Sequence, residues 1–204
     1  NLAYWQCMAR SSVLSLDVRG YYTTNTTLDI GSYQVDATQA SAGYYSNVSS
    51  GNWSSASSWL YYNGQAWVAP TSAPTGSAST TIMQGSSITL DSDVSFSHTL
   101  SVNGTLNLSS SHGVTLTGGT LSGTGAVSGA GTGFINASSG NSDITGVTVS
   151  GFTVSAVQVA AGATLNITGV TFSGNSSANG GAICMADGAV SSYAAVLLSG
   201  CSFF

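Results

Sequence analysis

The chain has no Lys and no Glu, and only two Arg and two Pro in 204 residues. Charged residues make up 4% of it, against roughly 25% in an ordinary soluble domain. Helical bundles and coiled coils draw their surfaces from Glu, Lys and Arg, so long helices are excluded. Two cations and a net charge of −5 cannot neutralise a run of phosphates, which excludes nucleic acid and anionic membrane surfaces as partners. The longest apolar runs, such as Ala194 to Leu198, fall far short of the roughly 18 residues that a membrane span needs. Three Cys, at positions 7, 184 and 201, show no CxxC spacing, which argues against a metal site. Their odd number allows one pair plus a free or intermolecular thiol, or no pair, and Cys184 with Cys201 is the candidate disulfide. No cofactor is implied.

In place of charge there are 38 Ser, 23 Thr and 26 Gly, a composition that leaves an all-β protein. The sequence starts at Asn1 with no charged-then-apolar leader, as after removal of a signal peptide or excision of a fragment. Eight Asn-x-Ser/Thr triplets, at Asn25, Asn47, Asn52, Asn103, Asn107, Asn136, Asn166 and Asn175, are candidate glycan acceptors on a secreted or cell-surface chain. Glycans would supply the hydration that its surface charge does not.

A short motif recurs: Leu116-Thr-Gly-Gly-Thr-Leu-Ser-Gly123, Ile144-Thr-Gly-Val-Thr-Val-Ser-Gly151, Ile167-Thr-Gly-Val-Thr-Phe-Ser-Gly174 and Leu198-Ser-Gly-Cys-Ser-Phe-Phe204. Its offsets of 28, 23 and 31 residues are in the range of repeat architectures. Each copy is a brief apolar/polar alternation bounded by Gly, too short and too unevenly spaced for propeller blades. The pattern predicts a right-handed parallel β-helix over 81–204, with coils about 4.8 Å apart, about five rungs and a rod of roughly 24 Å. Val147, Val170 and Cys201 should stack inside in one column, and Val149, Phe172 and Phe203 in the next. Gly104-Thr-Leu-Asn-Leu108 matches Ala163-Thr-Leu-Asn-Ile167, which puts Asn107 and Asn166 on the outer face. The last motif stops after a core-facing Phe with no polar cap, so either more chain or another subunit is expected to cover that rung.

Residues 1–80 form a different, aromatic-rich β module ending in a linker with Pro70 and Pro74. All four Trp and eight of the nine Tyr lie there. Leu14–Val18, Thr27–Ile30 and Tyr33–Val35 read as strands. The aromatic residues read either as a core capping the first rung or as an assembly or glycan-binding surface.

Two stretches resemble known families. Phe172-Ser-Gly-Asn175 followed by Gly180-Gly-Ala-Ile183 is similar to the Phe-x-x-Asn and Gly-Gly-Ala-Ile repeat of the polymorphic outer-membrane proteins, and the likeness covers about residues 165–204. Gly51-Asn-Trp-Ser54, Trp59, Pro70, Ile82 and Gly85-Ser-Ser-Ile-Thr-Leu-Asp91 resemble the opening segment of bacterial β-helical surface proteins and the glycine-rich extracellular domains of the G8 type. The resemblance implies a surface-exposed β-helix and carries over no catalytic residue.

Chemistry-bearing residues are sparse. Of seven Asp (17, 29, 36, 91, 93, 143 and 187), only Asp91 and Asp93 form a pair, and no Arg or Lys lies in the repeat region. Polysaccharide hydrolysis needs two carboxylates at a set separation, and a Ca²⁺ site needs more oxygen ligands than this pair supplies. A structural turn is the favoured reading. His98 and His112 stand alone. The expectation is a non-enzymatic extracellular β-solenoid, the subunit of a surface fibre assembled by head-to-tail self-association. The two halves of that contact would be Tyr4, Trp5, Tyr21 and Tyr22 at one end and Val196, Leu198, Phe203 and Phe204 at the other. The rivals are an adhesin stalk or glycan-binding module stacking sugars on Trp53 and Trp59, and a polysaccharide-active enzyme.

Overall fold

The computed structural model describes residues 15–16, 22–23, 40–108, 111–129, 131–185 and 193–204. From Thr80 onward the chain repeats one plan, three short strands separated by three corners. The first strands of successive coils are Thr80–Ile82, Thr99–Val102, Thr120–Ser122, Asn141–Thr145, Thr164–Thr168 and Ala195–Ser199, each parallel to its predecessor. The second sheet stacks Ser87–Thr89, Thr105–Leu108, Ala126–Gly129, Thr148–Ser150, Thr171–Ser173 and Ser202–Phe203. The third stacks Val94–Phe96, Gly113–Thr117, Phe134–Ser139, Val157–Val159 and Ile183–Met185. The chain is thus an all-β parallel solenoid of five full coils, with two strands of a sixth.

Strict alternation drives this winding. Side chains along a strand point to opposite faces, so every second residue enters the interior and lies over its counterpart one coil below. Thr80, Leu100, Leu121, Ile144, Ile167 and Leu198 make one inward column. Ile88, Leu106, Val127, Val149, Phe172 and Phe203 make another, in which the Phe172 and Phe203 rings stack 5.0 Å apart and nearly parallel. Val147 and Val170 are fully buried at one corner, and Cys201 takes the same corner of the last coil half-buried. Their backbones follow the ladder, with Thr171 N donating to Val147 O and Ser202 N to Val170 O at 3.2 and 3.0 Å.

Outward positions hold hydroxyls and amides that bond across coils. Asn107 Nδ2 donates to Ser87 Oγ at 2.9 Å and its Oδ1 accepts from Ser128 Oγ at 2.6 Å. Asn166 Nδ2 donates to Asp143 Oδ1 at 3.0 Å. These bonds give sheets with almost no charge a polar, cross-linked exterior.

The repeat alignment requires one correction. Ile144 pairs with Leu121, not Leu116, and Leu116 lies in the third sheet opposite Ala137. The coils therefore advance by 21, 23, 23 and 31 residues along Leu100, Leu121, Ile144, Ile167 and Leu198, and the 28-residue spacing is not a coil. Likewise Leu106 and Leu108 belong to the second sheet, whereas Leu165 and Ile167 belong to the first. A Gly-bounded strand of three to five residues recurs at every corner, so sequence likeness alone cannot say which corner a copy occupies. Gly123 turns such a corner at φ +128°, where a Cβ would land on the Val102 carbonyl oxygen, so only glycine fits.

The aromatic module forms a cap. Gly43–Ser46 pairs in parallel with Thr80–Ile82 and antiparallel with Trp59–Tyr62, which pairs with Trp67–Val68. Ser50–Asn52 lies below Ser87–Thr89 in the second sheet. Trp53 and Trp59, both 1% exposed, close the bottom of the interior and share one core with Ile82, Ile88 and Phe96. The Trp53 indole meets Trp59 and Phe96 edge to face at 4.9 and 5.8 Å, and its Nε1 donates to Pro74 O at 3.0 Å. Of the earlier strand assignments, Ser15–Leu16 pairs antiparallel with Tyr22–Thr23; 27–30 and 33–35 lie outside the described residues.

Candidate functional site

The two ends of the solenoid differ. Beneath the first coil the cap seals the columns. At the other end, among the described residues, no strand lies above Ala195–Ser199 or Ser202–Phe203. The inward columns run on into this rung uncovered: Leu198 and Phe203 are each 51% exposed, while Ile167 and Phe172 one coil below are 0% and 1%. Phe204 is 84% exposed and Leu197 58%, with Tyr193 and Met185 also open to solvent. A shallow groove of about 280 Å³ is lined by Phe172, Asn175, Gly181, Ala182, Phe203 and Phe204. No other part of the described surface gathers large apolar side chains in this way, and isolated exposed ones such as Val68 are ordinary.

Of the proposed assembly residues, Val196, Leu198, Phe203 and Phe204 come together here. Tyr4, Trp5 and Tyr21 lie outside the described residues, and Tyr22 enters only through its backbone pairing with Leu16. Sequence reasoning missed Leu197. It follows Thr99, Thr120, Asp143 and Asn166 in an outward column, so an unbroken apolar run at an alternating position was the signal. Phe204 likewise follows Phe203 where the coil below has Ser173 after Phe172.

The remaining candidates serve the fold. Asp91 Oδ1 and Oδ2 accept from Ser54 N and Ser54 Oγ at 2.9 and 2.6 Å, clasping the cap to the first coil. Asp93 Oδ1 accepts from Gly113 N of the next coil at 2.8 Å and lies 3.5 Å from His112 Nδ1. The two carboxylates thus tie different places together. Desolvation pushes the Asp91 carboxyl up, but the hydrogen bonds from Ser54 outweigh it and hold the group below the usual carboxylate range. A carboxyl depressed by folding stabilises above its unfolded pKa, and that stability is lost as pH falls through the folded value. The cap is therefore expected to loosen in acid below about pH 4. Tryptophan fluorescence followed against pH should show this transition in the wild type and lose it in Asp91→Asn, which is weaker at neutral pH.

Cys184 and Cys201 are both free, correcting the candidate disulfide. Cys184 pairs with Gln158 on the third sheet, while Cys201 sits at the corner between the other two and points its Sγ to Ile167 O and Ser199 O, each at 3.5 Å. Cys7 lies outside the described residues. Trp53 and Trp59, proposed to stack on sugars, are buried. His98 Nδ1 lies 3.1 Å from Ser97 Oγ. Among the described residues no group of three His, Cys, Asp or Glu could hold a metal ion, and no helix is long and apolar enough to cross a membrane.

Among the glycan candidates, Asn52 and Asn103 are exposed, while Asn47, Asn107, Asn136, Asn166 and Asn175 are half-buried. Asn25 lies outside the described residues. Asn175 takes a structural part: its Oδ1 accepts from Phe152 N at 3.1 Å and its Nδ2 donates to Val149 O at 2.9 Å. The Phe-x-x-Asn spacing thereby puts a ring in the column and an amide on the backbone of the coil below.

Comparison with protein families, with curated proteins and with solved structures gives no match to this chain.

Proposed function

We propose that this chain is an extracellular structural protein, a β-solenoid unit of a surface fibre that self-associates through its last rung and performs no catalysis. The observation that carries the reading is the contrast within single columns. Side chains that are sealed from water in five coils are half open in the sixth, where no strand among the described residues pairs with the outer edge, and an apolar rung beside such an edge is an adhesive surface. The polar, hydrogen-bonded flanks support the same reading, since they keep rods from sticking sideways while the tip remains adhesive. Carboxylates committed to holding coils together, as Asp91 and Asp93 are, suit a scaffold better than a polysaccharide-active site. Sedimentation velocity over a range of concentrations, followed by negative-stain microscopy, tests it: association that disappears in Phe203→Asp supports the reading, and a monomer at every concentration overturns it.

Glycan binding is the second reading, and the observation favouring it is on the cap. Trp67 is half-exposed and packs edge to face on Tyr45 at 5.0 Å, leaving an aromatic surface on which a sugar could stack. Glycan-array binding lost in Trp67→Ala with the fold intact would select it over the fibre.

A further inference from the structure

We infer that the outer face of the first sheet binds a neutral, extended polysaccharide, stacked on Trp67 and Tyr45 at the cap and hydrogen-bonded along a column of hydroxyls that climbs the coils. This rests on the glycan-binding reading of the cap and extends it from a ring contact to a path for a chain.

Four observations lead there. First, a single sheet carries both parts. The cap strands Trp67–Val68, Trp59–Tyr62 and Gly43–Ser46 continue without a break into the first strands of all the coils. The second sheet begins at Ser50–Asn52 and the third at Val94–Phe96, and neither strand presents an exposed ring. Trp67 pairs with Tyr62, Leu60 with Tyr45 and Tyr45 with Thr81, so these side chains share the outer face. The ring platform is set before a ligand arrives: Tyr45 Oη donates to Ser41 O at 2.8 Å, and the Trp67 ring lies 5.0 and 4.9 Å from those of Tyr45 and Tyr62.

Second, the column that rises from Tyr45 is Thr81, Ser101, Ser122, Thr145 and Thr168. It offers a hydroxyl at every step over about 24 Å, at the spacing of adjacent strands. Third, these hydroxyls are open to a ligand. In the second sheet Asn107 occupies Ser87 and Ser128, but here only Ser101 and Ser122 approach each other, at 3.3 Å. Thr81, Thr145 and Thr168 are half-exposed or exposed, and their hydroxyls have no protein partner among the described residues. Such groups donate and accept, as the hydroxyls of a sugar require. Fourth, charge selects the sugar. The chain has no Lys and no Arg beyond Arg19, and Asp143 stands two residues from Thr145 on the same face. A uronate or sulfated chain would meet a carboxylate there and no cation. A straight chain of the cellulose or chitin type has apolar ring faces for Trp67 and Tyr45 and hydroxyls along its edges for the column.

The test is calorimetric titration of the full chain with cellobiose, cellohexaose, chitobiose and chitohexaose, with polygalacturonate as the charged comparison. The expected result is that a hexasaccharide binds about tenfold more tightly than its disaccharide, and polygalacturonate not at all. Thr145→Val with Thr168→Val keeps the branched shape and strand preference of both side chains while removing their hydroxyls. It should weaken hexasaccharide binding about tenfold, the worth of two net hydrogen bonds, and leave the disaccharide unchanged. Trp67→Ala, with its circular dichroism native, should lose both sugars. Equal affinity for short and long chains, unchanged in the Thr145→Val/Thr168→Val protein, overturns the path along the coils and leaves the ring contact standing. A folded protein that binds none of the four sugars overturns both. Tighter binding of polygalacturonate overturns the choice of a neutral chain. Side-by-side dimers that Thr145→Val with Thr168→Val abolishes would make a second copy the occupant and overturn the sugar.

Discussion

Trp53→Ala is expected to destabilise the fold by about 3–5 kcal/mol, the cost of emptying a large buried aromatic site. The indole is 1% exposed, touches Trp59 and Phe96 edge to face, and satisfies the Pro74 carbonyl. Trp59 in turn donates its Nε1 to the Trp53 carbonyl at 2.9 Å, so the two rings are coupled. Removing Trp53 therefore uncovers the first coil from below and loosens Trp59. In a solenoid each coil leans on its neighbours, and the loss should appear as fraying that starts at the cap. Chemical denaturation followed by tryptophan fluorescence measures it. Trp53→Phe should recover most of the packing and leave about 1 kcal/mol for the missing hydrogen bond. The result also bears on glycan binding: a variant at Trp53 that stayed fully folded yet lost sugar binding would contradict the burial of this ring.

The second large effect compares two positions in one column. Leu121→Asp should unfold the middle of the rod, because Leu121 is fully buried between Leu100 and Ile144. An isolated carboxylate there has no partner, and burying it costs several kcal/mol, more than a domain of this size can spare. Leu198→Asp makes the same change three coils further on, at a side chain that is half exposed. It should change folding stability by less than about 1 kcal/mol while abolishing self-association. Circular dichroism melts for both variants, with sedimentation for the second, give the answer. Equal destabilisation at the two sites would mean that Leu198 is covered within its own molecule.

The winding was legible in the sequence because alternation writes the inward face directly: Val149, Phe172 and Phe203 stand over one another as their shared motif predicts. What the motif could not show was which corner a copy turns. Leu116-Thr-Gly-Gly-Thr leads from the third sheet into the first, whereas Ile144-Thr-Gly-Val-Thr leads from the first into the second. Both obey the same local rule of a Gly-bounded strand, and only the long-range pairing of Leu121 with Ile144 separates them. The same locality explains the cysteines. Cys184 and Cys201 are near neighbours in sequence, but an outward position on one face and a corner on the other side of the coil keep them apart. The acidic pair looked like a potential site because both carboxylates fall at one strand end, and their partners, Ser54 and Gly113, come from segments 37 and 20 residues away. The aromatic cap was readable as a change of composition, but which rings are sealed in depends on the coil above them. Leu197 was hidden in plain apolar company, its meaning apparent only once the column beneath it was known to be polar.

The most direct measurement is a pair of engineered disulfides that read the coil register, in a background with Cys7, Cys184 and Cys201 changed to Ser. Ser122 and Thr145 are cross-strand partners on the outer face of the first sheet, at a separation that adjacent strands make suitable for a disulfide. Ser122→Cys with Thr145→Cys should therefore oxidise readily and raise the unfolding midpoint. Thr117→Cys with Thr145→Cys, the pairing that a 28-residue coil would require, should stay reduced. Crosslinking of 117 with 145 and not of 122 with 145 would contradict the coil register, and with it the stacked columns and the bare final rung.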